Sequence, residues 1–174
     1  HGTNEYPFLI DEGGMSIVPI TSMGLNHAAS SERVSSGVPA LDAMMGGKGF
    51  FCGSSVLVSG SAGTGKSSLA AHFARAAIAR GERCAWFAFE ESPNQIMHNM
   101  RSIGIDLAPA VQRGTMRVKA ARPTNCGLEM HLMNIFKEVN EFKPRVVVID
   151  PISNFESLGS AVAVKAMLTS MIDF

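Results

Sequence analysis

Eight consecutive residues carry the clearest chemical signal in this sequence: Gly60, Ser61, Ala62, Gly63, Thr64, Gly65, Lys66 and Ser67. They match the pattern G-x-x-x-x-G-K-[S/T] at every fixed position, with an apolar run at 54–58 before them and an alanine-rich helical run after them. Glycines let successive backbone N–H groups turn towards phosphate oxygens, and the following helix presents its positive dipole end at the same place. Lys66 suits the β- and γ-phosphates, and the hydroxyl of Ser67 suits Mg²⁺. The motif therefore predicts a phosphate loop that binds a nucleoside triphosphate.

Three acidic residues lie at the ends of other apolar runs, where ligands of α/β proteins usually bind. Glu90 and Glu91 follow the run 84–89, and Asp150 ends the run 146–150. An apolar strand that ends in Asp is typical of the acid that helps to hold Mg²⁺. Phosphoryl transfer also needs a group that orients a water or hydroxyl, so Glu90 and Glu91 are candidate catalytic carboxylates. Glu90 is also a candidate ligand of Mg²⁺, and simple helix-dipole electrostatics is the competing explanation for the acidic pair.

The composition indicates a globular protein with the length of one domain. The chain has 174 residues, of which 46% are apolar and 17% are charged. Its 15 basic and 15 acidic residues balance, so no overall positive charge favours nucleic acid. The three cysteines are far apart, which predicts free thiols in a reducing compartment. No apolar run approaches the ~20 residues of a membrane helix, so we expect a cytoplasmic protein with no membrane contact.

Strand and helix patterns alternate after residue 33, which predicts a doubly wound α/β domain with a mostly parallel sheet. Strands are predicted at 54–58, 84–89, 116–120 and 146–150. Helices are predicted at 40–45, from 68 to about 80, 93–103, 128–140 and 161–174. The third of these helices carries a Ser-x-x-Gln capping box with Pro at its first position.

The first part of the chain has a different pattern. The runs 6–10 and 15–20 flank a turn-rich connection at 11–14 and predict a β-hairpin, and 21–31 has the composition of a linker. We expect this part to lie outside the nucleotide-binding core. His1 in place of Met indicates a chain cut from a longer one.

Other polar residues are explained without a ligand. The isolated helical histidines His72, His98 and His131 lack partners at metal-ligand spacing, which favours surface or satisfied core positions. The basic stretch at 113–122 is explained equally well by a solvated strand edge or by a phosphate-binding patch.

Taken together, these motifs resemble the RecA superfamily and, within it, the KaiC family of circadian clock ATPases. The residues that carry the resemblance are the phosphate loop and Arg33-Val34-Ser35-Ser36-Gly37, Leu41-Asp42, Gly46-Gly47, Phe89-Glu90-Glu91-Ser92, Phe142-Lys143-Pro144 and Ile149-Asp150. KaiC proteins contain two such domains in tandem, and this chain is most similar to the second one, which has autokinase activity. Residues 1–31 resemble the end of the first domain and the linker, and 32–174 resemble the N-terminal part of the second domain.

The resemblance implies a RecA-like core and a set of site residues. Residues 60–68, including Ser68, would bind ATP, and Ser67 and Asp150 would hold Mg²⁺. Glu90 and Glu91 would be the catalytic carboxylates, one of them acting as general base. Pro151 departs from the pattern, because many relatives have a small hydroxyl residue after this Asp.

The resemblance also implies that the complete protein is a hexamer with clock or signalling proteins as partners. In KaiC proteins the phosphoacceptor Ser and Thr, the later strands and the basic residues that reach the neighbour's ATP all follow the equivalent of Phe174. We therefore expect the isolated chain, incomplete at its C-terminus, to be a weak or inactive ATPase that associates non-natively.

Two alternative functions remain open at this stage. A DNA-dependent ATPase of the RadA or DnaB type would use the same core, and DNA-stimulated hydrolysis would favour it. A non-catalytic module in which ATP only holds subunits together would bind ATP tightly without turnover. Neutral charge and the Glu90-Glu91-Ser92 motif favour the autokinase over the DNA-dependent enzyme.

Overall fold

A computed structural model of the chain describes residues 8–11, 14–17 and 30–173. The first strands in chain order are β1 (Phe8–Asp11), β2 (Gly14–Ile17), β3 (Arg33–Val34) and β4 (Phe50–Phe51), with helix α1 (Pro39–Met44) between β3 and β4. The remaining elements are α2 (Lys66–Ala79), β5 (Cys84–Ala88), α3 (Pro93–Ser102), α4 (Ala108–Gln112), β6 (Met116–Ala120), α5 (Leu128–Phe142), β7 (Val146–Asp150) and α6 (Ala161–Ile172). Two 3₁₀ helices, Pro123–Asn125 and Ile152–Ser157, follow β6 and β7.

The central feature is a parallel sheet with the strand order β6-β5-β7. Cys84 of β5 is level with Met116 and Val146, and Ala88 is level with Ala120 and Asp150. All five residues of β5 are buried, as the apolar run at this position predicts for a strand covered on both faces. Because the three strands are parallel and in step, their carboxyl ends meet at one edge of the sheet.

Helices cover both faces of this sheet, so the α/β fold class expected from the sequence is confirmed. On one face the alanines of α2 pack with side chains of α3, α4 and the sheet, forming a cluster that contains Ala71, Ala74, Ala77, Trp86, Ile96, Met100, Val146 and Val148. On the other face α5 and α6 pack over the alternate sheet positions, with Ala85, Phe87, Leu132, Phe136, Phe155, Val164 and Met167 in the cluster. None of the helices within the described residues is long and apolar enough to cross a bilayer.

The predicted hairpin is present as the antiparallel pair β1 and β2. The predicted linker at 21–31 lies outside the described residues up to position 29, as do the outer ends of the two hairpin strands and Phe174. The domain boundary at 31 therefore stays a prediction.

Residues 33–51 form a compact segment with two short strands and one helix. The sequence predicted only a turn and a short helix here. Arg33 donates to the carbonyl oxygens of Gly49 and Met45 at 2.8 and 2.7 Å, and its guanidinium lies 4.0 Å above the ring of Phe51. The carboxylate of Asp42 accepts from the hydroxyl of Ser35 and from the backbone N–H of Ser36. These hydrogen bonds hold the pKa of Asp42 below its usual value. Arg33 and Asp42, two of the residues that carry the family resemblance, therefore form hydrogen bonds within this segment.

The predicted strand at 54–58 is wrong for this structure. Residues 53–59 have no regular secondary structure, and Val56, Leu57 and Val58 are 49%, 74% and 39% exposed. A strand requires backbone hydrogen bonds with a neighbouring strand, and no described strand pairs with this segment. The second edge of β7 is also unpaired among the described strands, and Val147 on β7 is 40% exposed.

We expect these apolar, unpaired segments to cause self-association of the isolated chain, because an open strand edge is a template for pairing with another chain. Light scattering after size-exclusion chromatography should show oligomers that dissociate in a Leu57→Lys/Val147→Lys variant. Val162→Lys is the control, since Val162 is 78% exposed but lies on α6. Equal association of the wild type and both variants would contradict this explanation.

Glu138 on α5 pairs with two basic side chains of β6. Its Oε1 accepts from Nη1 of Arg117 at 2.8 Å, and its Oε2 lies 3.0 Å from Nζ of Lys119. Burial raises the pKa of Glu138, but the hydrogen bonds from Arg117 and Lys119 outweigh it, so the pKa is lowered. Arg117 and Lys119, two members of the basic stretch at 113–122, therefore form ion pairs within the fold. For these two residues the ion pairs on strand β6 explain the positive charge without a bound phosphate.

Glu138→Gln should lower the free energy of unfolding at pH 7 by about 1–3 kcal/mol, because a charged hydrogen-bond acceptor is lost. Since the folded pKa is lowered, the carboxylate contributes stability above its unfolded pKa of about 4.3 and loses it as the pH falls through the folded value. Denaturant titrations should therefore show the difference between wild type and variant shrinking below about pH 4. Glu141→Gln, at an exposed position of the same helix, is the control and should change stability by less than about 0.5 kcal/mol. A difference that stays the same at pH 3 and pH 7 would contradict the assigned ion pairs.

Candidate functional site

The predicted phosphate loop lies between the irregular segment 53–59 and the first turn of α2. Gly63 and Gly65 have φ angles of +80° and +86°, a backbone region that side chains disfavour, and Gly65 is the N-cap of α2. A side chain at Gly60 would place its Cβ 2.7 Å from the hydroxyl oxygen of Thr64. The glycines of the motif are therefore required by the backbone path and close packing of the loop, and residues 60–65 are exposed to solvent.

Lys66 closes the loop onto itself. Its Nζ donates to the carbonyl oxygens of Gly60 and Ser61, both at 2.9 Å, and the hydroxyl of Thr64 donates to the same Ser61 oxygen at 2.8 Å. The ammonium group of Lys66 thus lies against the backbone of the loop. An anion in the loop would exchange these neutral carbonyl acceptors for charged oxygens, which form stronger hydrogen bonds with an ammonium group.

The first turn of α2 supplies backbone donors to the same region. The first intrahelical bond at this end joins the N–H of Leu69 to the oxygen of Gly65 at 2.9 Å. The N–H groups of Lys66, Ser67 and Ser68 precede it and so have no acceptor within the helix. A helix of 14 residues also carries a positive partial charge at this end. The donor set therefore fits phosphate oxygens.

The carboxyl ends of β5 and β7 bring two of the predicted acids to one edge. Asp150 is half-buried and level with Ala88, and its carbonyl oxygen accepts from the backbone N–H of Phe89 at 2.9 Å. Glu90 follows Phe89 directly and is exposed. A backbone hydrogen bond therefore joins Asp150 to the residue before Glu90, as expected for the carboxyl ends of neighbouring parallel strands.

The two adjacent glutamates have different surroundings. Oε1 of Glu91 accepts from Nδ2 of Asn99 on α3 at 2.8 Å, and Glu91 is half-buried. Glu90 lines an open cavity, and within the described part of the chain its carboxylate has no hydrogen-bond or ion-pair partner. Among the described residues, Glu90 and the exposed Glu156 of the same lining both have unpartnered carboxylates that can accept a proton from a molecule in the cavity, whereas Glu91 is hydrogen-bonded to α3.

The cavity beside Glu90 has a volume of about 600 Å³. It lies between the two 3₁₀ helices, and its lining comprises Phe89, Glu90, Arg122, Pro123, Thr124, Ser153, Asn154, Glu156 and Ser157. Among these residues the sequence indicated Glu90 as a catalytic candidate and Arg122 as part of a basic stretch with a phosphate-binding patch as one explanation, whereas the hydroxyl and amide side chains carry no motif. None of the residues 60–68 lines this cavity. The phosphate loop and the cavity are therefore two distinct places in the structure.

Phe89 is fixed from several sides beneath the cavity. Nδ2 of Asn154 donates to the carbonyl oxygen of Phe89 at 3.1 Å, and the ring of Phe89 meets the ring of buried Phe155 at 4.5 Å. The ring of His131 lies 5.3 Å away, and its Nε2 is 2.8 Å from the carbonyl oxygen of Pro123. His131 is thus a buried histidine with a hydrogen-bond partner, the second of the two positions, surface or satisfied core, that the sequence favoured for the helical histidines.

Comparison with known proteins agrees with this geometry. A family model described as "ATPase: KaiC" matches residues 34–174. The chain is 52% identical over all 174 residues to the Circadian clock protein KaiC2 of Synechocystis sp. and covers 31% of that protein. It is 44% identical over 153 residues, 88% of this chain, to the Circadian clock oscillator protein KaiC of Acaryochloris marina, covering 29% of that protein. The corresponding protein of Synechococcus elongatus is 42% identical over 153 residues, with the same shares of 88% and 29%.

The chain thus spans under a third of the length of these relatives, and the family model extends over most of the chain. Family membership implies that the chain binds a nucleotide, in agreement with the donors of the phosphate loop. The chain belongs to the KaiC family of ATPases and corresponds to one KaiC domain.

Proposed function

We propose that this chain is the Mg²⁺-dependent ATPase and serine/threonine autokinase domain of a KaiC-like clock protein. The observation that carries the proposal is a free carboxylate, Glu90, facing a cavity at the sheet edge of a domain with a complete phosphate loop. In this proposal residues 32–174 belong to the second ATPase domain of the complete protein, which acts as a hexamer. The printed names of the relatives, which are circadian clock proteins, support the clock role.

The phosphate loop binds the triphosphate in this proposal. Backbone N–H groups of residues 60–68 and the ammonium group of Lys66 donate to phosphate oxygens, replacing the bonds from Lys66 to Gly60 and Ser61. The hydroxyl of Ser67 and the carboxylate of Asp150 would hold Mg²⁺, with Glu90 as a further candidate ligand. When bound, Mg²⁺ neutralises charge on the phosphate oxygens. The described residues contain no group of three or more His, Cys, Asp or Glu that could hold a metal ion.

Glu90 acts as the general base. Its carboxylate takes the proton from a water or hydroxyl group as that oxygen bonds to the γ-phosphorus and the bond to ADP breaks. Glu91 supports the segment through Asn99 and takes no proton. The volume of about 600 Å³ beside Glu90 leaves room for either acceptor, a water or the hydroxyl of a polypeptide.

Neither alternative function is favoured by the comparisons, since the family model and the relatives are all of the KaiC type. The balanced charge of the chain likewise offers no overall attraction for DNA.

Glu90→Gln should reduce phosphoryl transfer from ATP by about 100-fold or more at saturating ATP, because the base is lost while binding is retained. Glu91→Gln should retain the rate within about 10-fold, since the glutamine oxygen can still accept from Asn99. Glu156→Gln is the matched control, because Glu156 lines the same cavity and should change the rate less than about 3-fold. The measurement uses the complete protein with γ-labelled ATP and Mg²⁺, in a background where the phosphate-loop lysine of the other domain is replaced.

The fate of the label decides between the activities. Label that stays covalently on the protein and is lost in Glu90→Gln supports the autokinase, whereas label released only as phosphate leaves an ATPase alone. If the wild-type protein binds ATP tightly and assembles but neither hydrolyses ATP nor becomes labelled, the non-catalytic module would be supported instead.

Lys66→Ala should weaken ATP binding by about 10- to 100-fold, because charge-assisted hydrogen bonds to the phosphates are lost. Titration calorimetry of the complete protein, in the same background, measures this change. Lys48→Ala is the control, since Lys48 is exposed and lies outside the loop. Unchanged affinity in Lys66→Ala would exclude the assigned role of this lysine.

A further inference from the structure

We propose that Asn154 is a positioning residue for Glu90, an inference that rests on the function proposed for Glu90 above. Nδ2 of Asn154 donates to the carbonyl oxygen of Phe89 at 3.1 Å, and the two residues are 65 positions apart in the chain. That oxygen belongs to the peptide group joining Phe89 to Glu90. Because a peptide group is planar, holding its oxygen fixes the plane from which the Cα of Glu90 extends.

The segment that contains Asn154 holds the other side of Phe89 as well. The backbone N–H of Phe89 donates to the oxygen of Asp150 at 2.9 Å, so both backbone polar groups of Phe89 bind to residues 150–154. Phe155, next to Asn154, is fully buried, and its ring lies 4.5 Å from the ring of Phe89. The turn after β7 therefore fixes the backbone that precedes Glu90, while the Glu90 carboxylate itself has no partner among the described residues.

Asn154 is also half-buried in the wall of the cavity that Glu90 faces. The base needs accurate placement because a displacement of about 1 Å in a reacting geometry costs about 100-fold in rate. A single side-chain hydrogen bond to the peptide before the base supplies part of that placement. Asn154 itself takes no proton, and within the described residues its amide donates to the main-chain oxygen of Phe89.

The test compares Asn154→Ala and Asn154→Asp with wild type in the complete protein, using single-turnover transfer from γ-labelled ATP. Asp has nearly the shape of Asn but lacks the amide donor, so it tests the hydrogen bond without opening a cavity. We expect both variants to reduce the rate about 10- to 100-fold with KM for ATP changed less than about 3-fold, because placement and not binding is affected. Asn154→Gln, which retains an amide donor, should recover part of the rate. Ser153→Ala, at the neighbouring cavity position, is the matched control and should act as wild type.

A double-mutant cycle separates positioning from general stabilisation. In a Glu90→Gln background, Asn154→Asp should have little further effect, because a residue that acts through Glu90 has nothing left to position. The same fold-loss in both backgrounds, or wild-type rates for both Asn154 variants, would overturn the inference while leaving Glu90 as the base. An undiminished rate in Glu90→Gln alone would overturn the proposed function, and the inference with it.

Discussion

Parallel pairing along both edges of β5 is the constraint on which the other parts of the structure depend. Every residue of this strand is buried, and its backbone bonds to β6 on one side and to β7 on the other. The side chains on both faces of β5 are apolar, so helices must cover the sheet above and below this strand. Pairing in step also requires that the chain leaves all three strands at the same edge. The turn with Glu90 and the two 3₁₀ helices around the cavity are consequences of this arrangement.

The packing of the helices then determines what surrounds that edge. Three alanines of α2, Ala71, Ala74 and Ala77, lie fully buried against the sheet, where small side chains let a helix approach closely, and the phosphate loop leads into this helix. On the opposite face α5 carries His131 beneath Phe89 and Glu138 against β6. Each helix thus combines a packing surface with polar groups that hold a neighbouring turn or strand.

Local sequence signals predicted the elements that depend on local interactions. The capping box of α3 is present, with the hydroxyl of Ser92 accepting from the N–H of Gln95 and the amide oxygen of Gln95 accepting from the N–H of Ser92. The helical spacing of α5 and the apolar run of β5 were also sufficient. The strands β3 and β4 and the helix α4 were not predicted, because a strand of two residues shows no alternation and a helix of five residues has little more than one turn of periodicity. The strand at 54–58 was wrong because an apolar run becomes a strand only where another strand offers hydrogen-bond partners.

The sequence by itself determined the phosphate loop, since a fixed spacing of glycines, lysine and serine describes a backbone path within one short segment. It also determined that acids lie at the ends of two apolar strands, and the register of β5 with β7 brings these ends to one edge. Only the tertiary structure decided how Glu90 and Glu91 differ. Adjacent residues of the same type have the same local pattern, and their surroundings come from Asn99, 8 positions from Glu91, and from residues around Asn154, 65 positions from Phe89. Contacts over such separations depend on the packing of whole elements, which no local spacing encodes.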